Sequence, residues 1–532
     1  MHSIARGLTC DTYATDKPIP PQSFPPRRLN SPSVVLMAPS SGLLVLIVAV
    51  LVALLRFLVR LRNDPLKVAK EAHWSARYSG VWIWWQHLND RGADAVHQAH
   101  LRYGPVVRLG PSELSVCAVE GGLDTIYSFR EPMLKTDWYQ VANSYGEQPM
   151  VALVDEASHK ARRKMLAQPY QKTSIRRNQR WLDAQPRLVH DLLSALDKLV
   201  TEGPDSTNFF DLAFAWSVDS ITGYLFGTTA SLNLLTDIPR ASRTRQEYDA
   251  QRANQFLPLP TALLKVMGMR PEIPWIQGMQ QAGKHETNTV FQHFSQNLGL
   301  VKTEQKPVAT ADGNREEAVA SAEMQDHMIA GIDPVDMLFT ACAWQLSLPS
   351  NQDWQLRLHE ELRLADCPRL AAGLETLQVL DAIIKEVLRV HVPLAGAQPR
   401  MTPKPTVLGP SGHEISVPAG VTVHSQAQTL HRTGAFEDAE RFDPKRWLDS
   451  SPNVLKEMDR WYWPFGSGTR ACIGSQLGLD NLKLAVATLY GAYRTETVEG
   501  STFVTSKGVL AMPLSQGGCH LRLRILRANE CT

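Results

Sequence analysis

Trp463-Pro464-Phe465-Gly466-Ser467-Gly468-Thr469-Arg470-Ala471-Cys472-Ile473-Gly474 is the most informative stretch of this chain. Phe465, Gly468, Arg470, Cys472 and Gly474 stand at fixed offsets, and a leucine-rich helical run follows from Leu477 to Leu489. A lone cysteine held by glycine-rich backbone at a helix start has a specific physical use. Loop and helix N–H groups point at the sulfur, and the helix dipole favours negative charge there. The product is a stable thiolate able to ligate iron. The bland reading of a single cysteine is a small buried hydrophobe. The spaced Phe, Gly, Arg and Gly around Cys472 argue against it.

Composition narrows the class. Of 532 residues, 44% are hydrophobic and 20% charged, which suits a globular enzyme with a large core. The net charge is +2 and no basic block stands out, so no nucleic-acid partner is expected. The seven cysteines (Cys10, Cys117, Cys342, Cys367, Cys472, Cys519 and Cys531) are scattered and include no Cys-x-x-Cys. That argues against a zinc site or disulfide framework and for a reducing compartment. Gly-x-Gly-x-x-Gly and Walker-type loops are absent, so no nucleotide site is expected in the chain itself, and any electrons it needs must come from a partner.

Gly42 to Leu55 is unbroken apolar sequence, short of the ~20 residues that cross a bilayer. Arg56 and Arg60 interrupt its continuation, Phe57-Leu58-Val59-Leu61, and can snorkel to the interface. No small-residue cleavage pattern follows, so 37–62 reads as an uncleaved transmembrane signal-anchor. Arg56, Arg60, Arg62, Lys67 and Lys70 then hold the body, 63–532, on the cytosolic side. Residues 1–36, with Pro18-Ile19-Pro20-Pro21 and Pro25-Pro26, have no structural period and read as a disordered tail. Translation from Met37 and a disordered lumenal tail both remain open.

Within the body, His100 to Pro111 reads as helix end, turn, then a strand closed by Gly-Pro. Asp155 to Tyr170 reads as a polar, basic helix with His159 and Arg163 on one face. The span 171–300 is helical in pattern, with breaks at Gly203-Pro204 and Pro258 to Pro260, and Lys302 to Ala320 reads as an exposed loop. A long helix is expected from Glu323 to Leu346. Leu380, Ile383, Ile384, Val387 and Leu388 follow helical spacing, with Glu386 and Arg389 on one face. Val417-Pro418-Ala419-Gly420-Val421 reads as strand and turn.

Taken in order, these motifs resemble the cytochrome P-450 superfamily, of the fungal microsomal kind, from about residue 95 to 515. The resemblance implies a mainly α fold with a smaller β region, holding one haem b. It makes Cys472 the axial ligand of the iron, in the loop of Phe465, Gly468 and Arg470, where a thiolate favours O–O cleavage. His159, Arg163, Arg400 (in Gln398-Pro399-Arg400) and Arg470 are implied to grip the haem propionates through charge-assisted hydrogen bonds. A solvated basic face is the alternative for His159 and Arg163. Ala330-Gly331-Ile332-Asp333 resembles the family's oxygen-activating stretch, which makes Asp333 a proton-relay acid. Pro334 stands where Thr is usual, Val335 follows it, and Asn481 stands where Glu is common. Glu386, Arg389 and Arg441 are implied to form a buried network that fixes the cysteine loop; a surface ion pair is the alternative.

The function implied is monooxygenation of a lipophilic small molecule, a fungal secondary metabolite, with O2 and NADPH-derived electrons. NADPH-cytochrome P-450 reductase, and cytochrome b5 as a second donor, are the partners that follow. The endoplasmic reticulum membrane, spanned once, is the expected location. Oxidative coupling, desaturation or rearrangement, or a non-catalytic haem-binding role, are the alternatives. The substrate is not legible in these residues.

Overall fold

The computed structural model describes residues 41–202, 207–228, 231–255, 311–366, 370–505 and 521–528. The tail 1–36 lies outside them. The chain divides into two units, Met1–Asn63 and Asp64–Thr532. Of the first, the described part is helix α1, Ser41–Arg62, which exposes leucines and valines such as Leu44, Val48, Leu51 and Leu55. Among the described residues no helix is long and apolar enough to cross a membrane. In α1 the charge-free run stops at Arg56, and Arg60 and Arg62 follow. Of the anchor expected at 37–62, the described residues from Ser41 are helical but do not form a spanning segment.

The second unit is mainly helical with three small sheets. Its first helices are α2 (Val81–Leu88), α3 (Gly92–Tyr103), α4 (Glu156–Leu166), α5 (Gln179–Thr201), α6 (Phe209–Phe226) and α7 (Ile238–Gln255). Then come α8 (Ala311–Ser347), α9 (Gln352–Leu364), α10 (Gln378–Val390), α11 (Pro452–Trp461) and α12 (Ser475–Ala492). Every residue of α6 is buried, as expected of a helix that is apolar all round and runs through a core. It packs along α8, and the crossing is close. A Cβ on Gly331 would lie 2.5 Å from Ile221 Cγ1.

Two expectations shift here. The exposed loop expected at Lys302 to Ala320 is helical from Ala311 onward, so α8 begins twelve residues before Glu323. Ala-Asp-Gly-Asn reads as a loop by local propensity, but it extends a helix anchored by its buried middle. Pro334 sits inside α8 without ending it. The breaks read at 203–204 and 258–260 lie outside the described residues.

The largest sheet has strand order β1-β2-β3-β9-β6-β4. It joins β1 (Lys70–Glu71), β2 (Val106–Gly110), β3 (Glu113–Val116) and β4 (Leu134–Lys135) to β6 (Arg400–Met401) and β9 (Thr422–His424). The second sheet is β5 (Thr207–Asn208) with β10 (Tyr493–Thr497) and β11 (Arg522–Arg527), and the third is β7 (Thr406–Leu408) with β8 (Ile415–Val417). The turn after α3 uses Gly104 at φ +99°, a conformation that favours glycine. Arg400 is brought beside Lys135 by direct β4–β6 pairing. That register matters for the site.

Candidate functional site

The cysteine loop is held from several sides. Cys472 N–H donates to the Phe465 carbonyl at 2.9 Å, which closes the loop on itself. Gly468 has φ +71°, and a Cβ there would sit 2.2 Å from the Tyr127 carbonyl oxygen. Glycine is therefore required twice over, by conformation and by space. Trp463 Nε1 donates to Ser467 Oγ at 2.9 Å, and its ring lies 4.7 Å from that of Tyr127. α12 starts directly after Gly474.

Cys472 is solvent-exposed, yet surrounding protein desolvates its thiol and pushes its pKa up. The two facts place the sulfur on the wall of an internal space. The Gly474 N–H and the nearby Arg163 guanidinium pull the pKa the other way by favouring the thiolate.

A corner of positive charge lies beside the loop. Arg163 donates to the Ala471 carbonyl at 2.8 Å. Arg470 donates to the Leu153 carbonyl at 3.1 Å and to Glu156 at 2.8 Å. Buried Arg400 donates to the Tyr139 hydroxyl at 2.5 Å and lies over the Tyr127 and Tyr139 rings. Lys135, also buried, bonds the Val151 carbonyl and sits 4.1 Å from the Tyr139 ring centre. Burial, then Arg470 and Arg400, bring the Lys135 pKa down to about 7.

His159 is buried among these four cations. Burial first, then Arg470, Lys135, Arg163 and Arg400, depress its pKa to about 3. Its Nδ1 is buried without a hydrogen-bond partner. An orphaned ring nitrogen in a crowd of cations fits a bound dianion, such as the two propionates of a haem whose iron reaches Cys472.

The network behind the loop differs from expectation in one member. Glu386 and Arg389 are fully buried and bidentate, at 2.8 and 2.9 Å. The expected third side chain, Arg441, is exposed, and only its backbone carbonyl enters, accepting from Arg389 at 2.9 Å. Arg446 takes the place instead, donating to Glu386 at 3.0 Å, with Trp447 Nε1 at 2.9 Å and the Asp443 N–H at 2.9 Å. The turn at 441–446 carries the Arg441 side chain outward and the Arg446 side chain inward. His431 continues the chain of contacts. It meets the Arg389 carbonyl through Nδ1 at 3.1 Å and accepts from the Trp463 N–H at Nε2, at 2.8 Å. Its Nδ1 therefore carries the proton, and the ion pair is wired to the cysteine loop.

On α8, Asp333 is buried and accepts a 2.5 Å hydrogen bond from Tyr248 of α7. Ala330 is exposed and Ile329, Gly331 and Pro334 are half-buried, although the helix around them is buried. That face of α8 borders an open space. Three residues on, Asp336 pairs with Arg245 of α7 at 3.6 Å, and burial raises its pKa to about 7. Tyr170 links the two regions. It packs at Gly474 and its hydroxyl meets His327 Nδ1 of α8 at 2.7 Å.

A sequence model of the family described as Cytochrome P450 matches residues 77–516, most of the chain. The chain belongs to the cytochrome P450 family. It is therefore an oxidoreductase of a haem-iron family. Among curated relatives, cytochrome P450 monooxygenase orf2 of Aspergillus niger is 26% identical, over 73% of this chain and 78% of its own. Cytochrome P450 monooxygenase gsfF of Penicillium aethiopicum is 26% identical, over 79% and 86%. Tryprostatin B 6-hydroxylase of Aspergillus fumigatus is 24% identical, over 80% and 75%. Lys135, Tyr139, Arg446, Trp447, His431 and Tyr248 escaped the sequence reading.

Proposed function

We propose that this P450 oxidises a lipophilic small molecule of fungal secondary metabolism, using O2 and NADPH-derived electrons delivered by a reductase. The observation that carries the reading is Cys472 on an internal wall beside a cationic corner with an orphaned His159 nitrogen. Bound haem b supplies oxygen activation, with Cys472 as its iron ligand. His159, Arg163, Arg400, Arg470 and Lys135 supply positive charge and donors for its carboxylates. Asp333, held by Tyr248, is the carboxyl placed to relay protons beside the open face of α8. The fungal relatives, one of them by its name a hydroxylase of tryprostatin B, support the substrate class.

Pro334 favours a second reading, in which the substrate is coupled, desaturated or rearranged without oxygen insertion. A proline has no hydroxyl to donate beside Asp333. Product analysis under labelled O2 separates the two.

α1, with its exposed leucines and valines and its terminal arginines, supports attachment to the endoplasmic reticulum membrane with the body cytosolic. Protein beginning at Met37 is expected to sediment with membranes and remain active.

The test of the whole reading is Cys472→Ala. Reduced wild type under carbon monoxide should show the red-shifted Soret band of thiolate ligation. The variant should lack it, and an unchanged spectrum refutes the assignment.

A further inference from the structure

Position 334 offers no hydroxyl beside Asp333, yet a hydroxyl reaches Asp333 from another helix. It belongs to Tyr248 of α7 and lies 2.5 Å from the Asp333 carboxyl oxygen. Tyr248 is 1% exposed and Asp333 6%, so bulk water weakens this bond little. α7 is a polar helix, and among its described residues only Ala241, Arg245 and Tyr248 are buried. They recur at i, i+4 and i+7, the one face that α7 turns inward. The Tyr248 ring rests against Phe214 of α6, with ring centres 5.5 Å apart. One turn earlier, Arg245 stacks over Phe210 at 4.8 Å and pairs with Asp336 at 3.6 Å and Asp249 at 3.4 Å. Two residues of α7, three apart, thus meet two aspartates of α8, also three apart. That seat fixes where the Tyr248 hydroxyl points.

We infer that Tyr248 is a positioning residue for oxygen activation, one that orients Asp333 and does the work of the side-chain hydroxyl missing at 334. The inference rests on the reading of Asp333 as a proton relay. Its physical basis is the bonding capacity of a phenol. A hydroxyl donates one hydrogen bond and accepts others at the same time. It can pass a proton toward Asp333 while taking one from water, and so brings no net charge into a buried place. Arg245, the neighbouring cation, has no such capacity, because a guanidinium only donates. Its part is to tie α7 to α8 through Asp336. Without the Tyr248 hydroxyl, Asp333 loses the bond that holds its carboxyl beside the open face of α8.

The test uses the full-length, haem-loaded enzyme, with 7-ethoxycoumarin as a lipophilic probe that carries no hydroxyl. Driven by NADPH, a reductase and O2, Tyr248→Phe should form about tenfold less product per NADPH than wild type. Driven by cumene hydroperoxide, which brings oxygen already reduced, it should match wild type. Adding Pro334→Thr should return most of the loss, because a hydroxyl again stands beside Asp333. Urea unfolding reads the contact separately, and there Tyr248→Phe and Asp333→Asn should be non-additive. If Asp333→Asn impairs coupling but Tyr248→Phe does not, the inference is wrong and the Asp333 reading stands. If neither matters, both fall. Equal losses under both oxidants, additive unfolding, no return with Pro334→Thr, or loss of the carbon monoxide band in Tyr248→Phe each overturn the inference. Should wild type leave the probe unchanged, hydrogen peroxide released per NADPH consumed without probe decides alone, and no rise in Tyr248→Phe overturns it.

Discussion

At the scale of single residues, the informative contrast lies between three arginines. Arg389 is fully buried and donates to Glu386 and to three backbone carbonyls. Arg389→Ala strands the Glu386 charge in the core and should cost ~3–5 kcal/mol in chemical unfolding, with haem-poor protein. Arg446→Ala removes one of two cations on Glu386, so an intermediate loss is expected. Arg441→Ala keeps the backbone carbonyl that the network uses and should change stability by no more than ~0.5 kcal/mol. Equal losses at Arg441 and Arg446 would contradict the observed geometry. The family resemblance called for a third arginine and pointed to Arg441. Arg446, five residues on, is the one that turns inward, because that choice depends on the path of an irregular turn.

Among the elements, α8 governs the most. Gly331 stood out in the sequence as part of an oxygen-activating motif, and the structure adds a packing reason for it: Ile221 of α6 occupies the space a side chain would take. Gly331→Ala should cost ~1–3 kcal/mol by overpacking, and Ile221→Val should recover part of it in the double variant. Additive losses would mean that the two do not touch. Pro334 lies on the half-open face of the same helix, where its missing N–H leaves the Ala330 carbonyl without its usual helical partner. With no hydroxyl at 334, proton delivery must rely on Asp333, water or a substrate hydroxyl. Pro334→Thr should therefore raise the ratio of product to NADPH consumed with substrates that lack a placed hydroxyl. If wild type couples equally well with and without that hydroxyl, the idea fails. Tyr248, the partner of Asp333, was illegible in the sequence because α7 carries no motif and meets α8 only through the tertiary fold.

Across the whole molecule, buried histidines set the acid limit. Burial depresses His431 and His391 to about 3 and His100 to about 4, against an ordinary 6.5. The folded state binds fewer protons than the unfolded chain between these values. Stability should therefore be intact above about 6.5 and fall as pH drops toward 3–4, by ~1.4 kcal/mol per pH unit for each histidine. Urea unfolding at pH 7 and pH 5 checks this, and equal stability at both would count against it. The helical class, the cysteine loop and Glu386-x-x-Arg389 were legible because their chemistry imposes local spacing. The cationic corner was legible only in part. His159, Arg163, Arg400 and Arg470 sat in recognisable motifs, whereas Lys135 reaches them through the β4–β6 pairing alone. That corner has a consequence for how the protein matures. Four cations held together in a poorly solvated place repel one another until a dianion arrives. On the proposed reading that this dianion is the propionate pair of a haem, its uptake is expected to complete folding, with ionic strength standing in for part of it. Added salt should raise the melting temperature of haem-free protein more than that of the loaded enzyme, because mobile anions screen the repulsion that bound carboxylates would otherwise cancel.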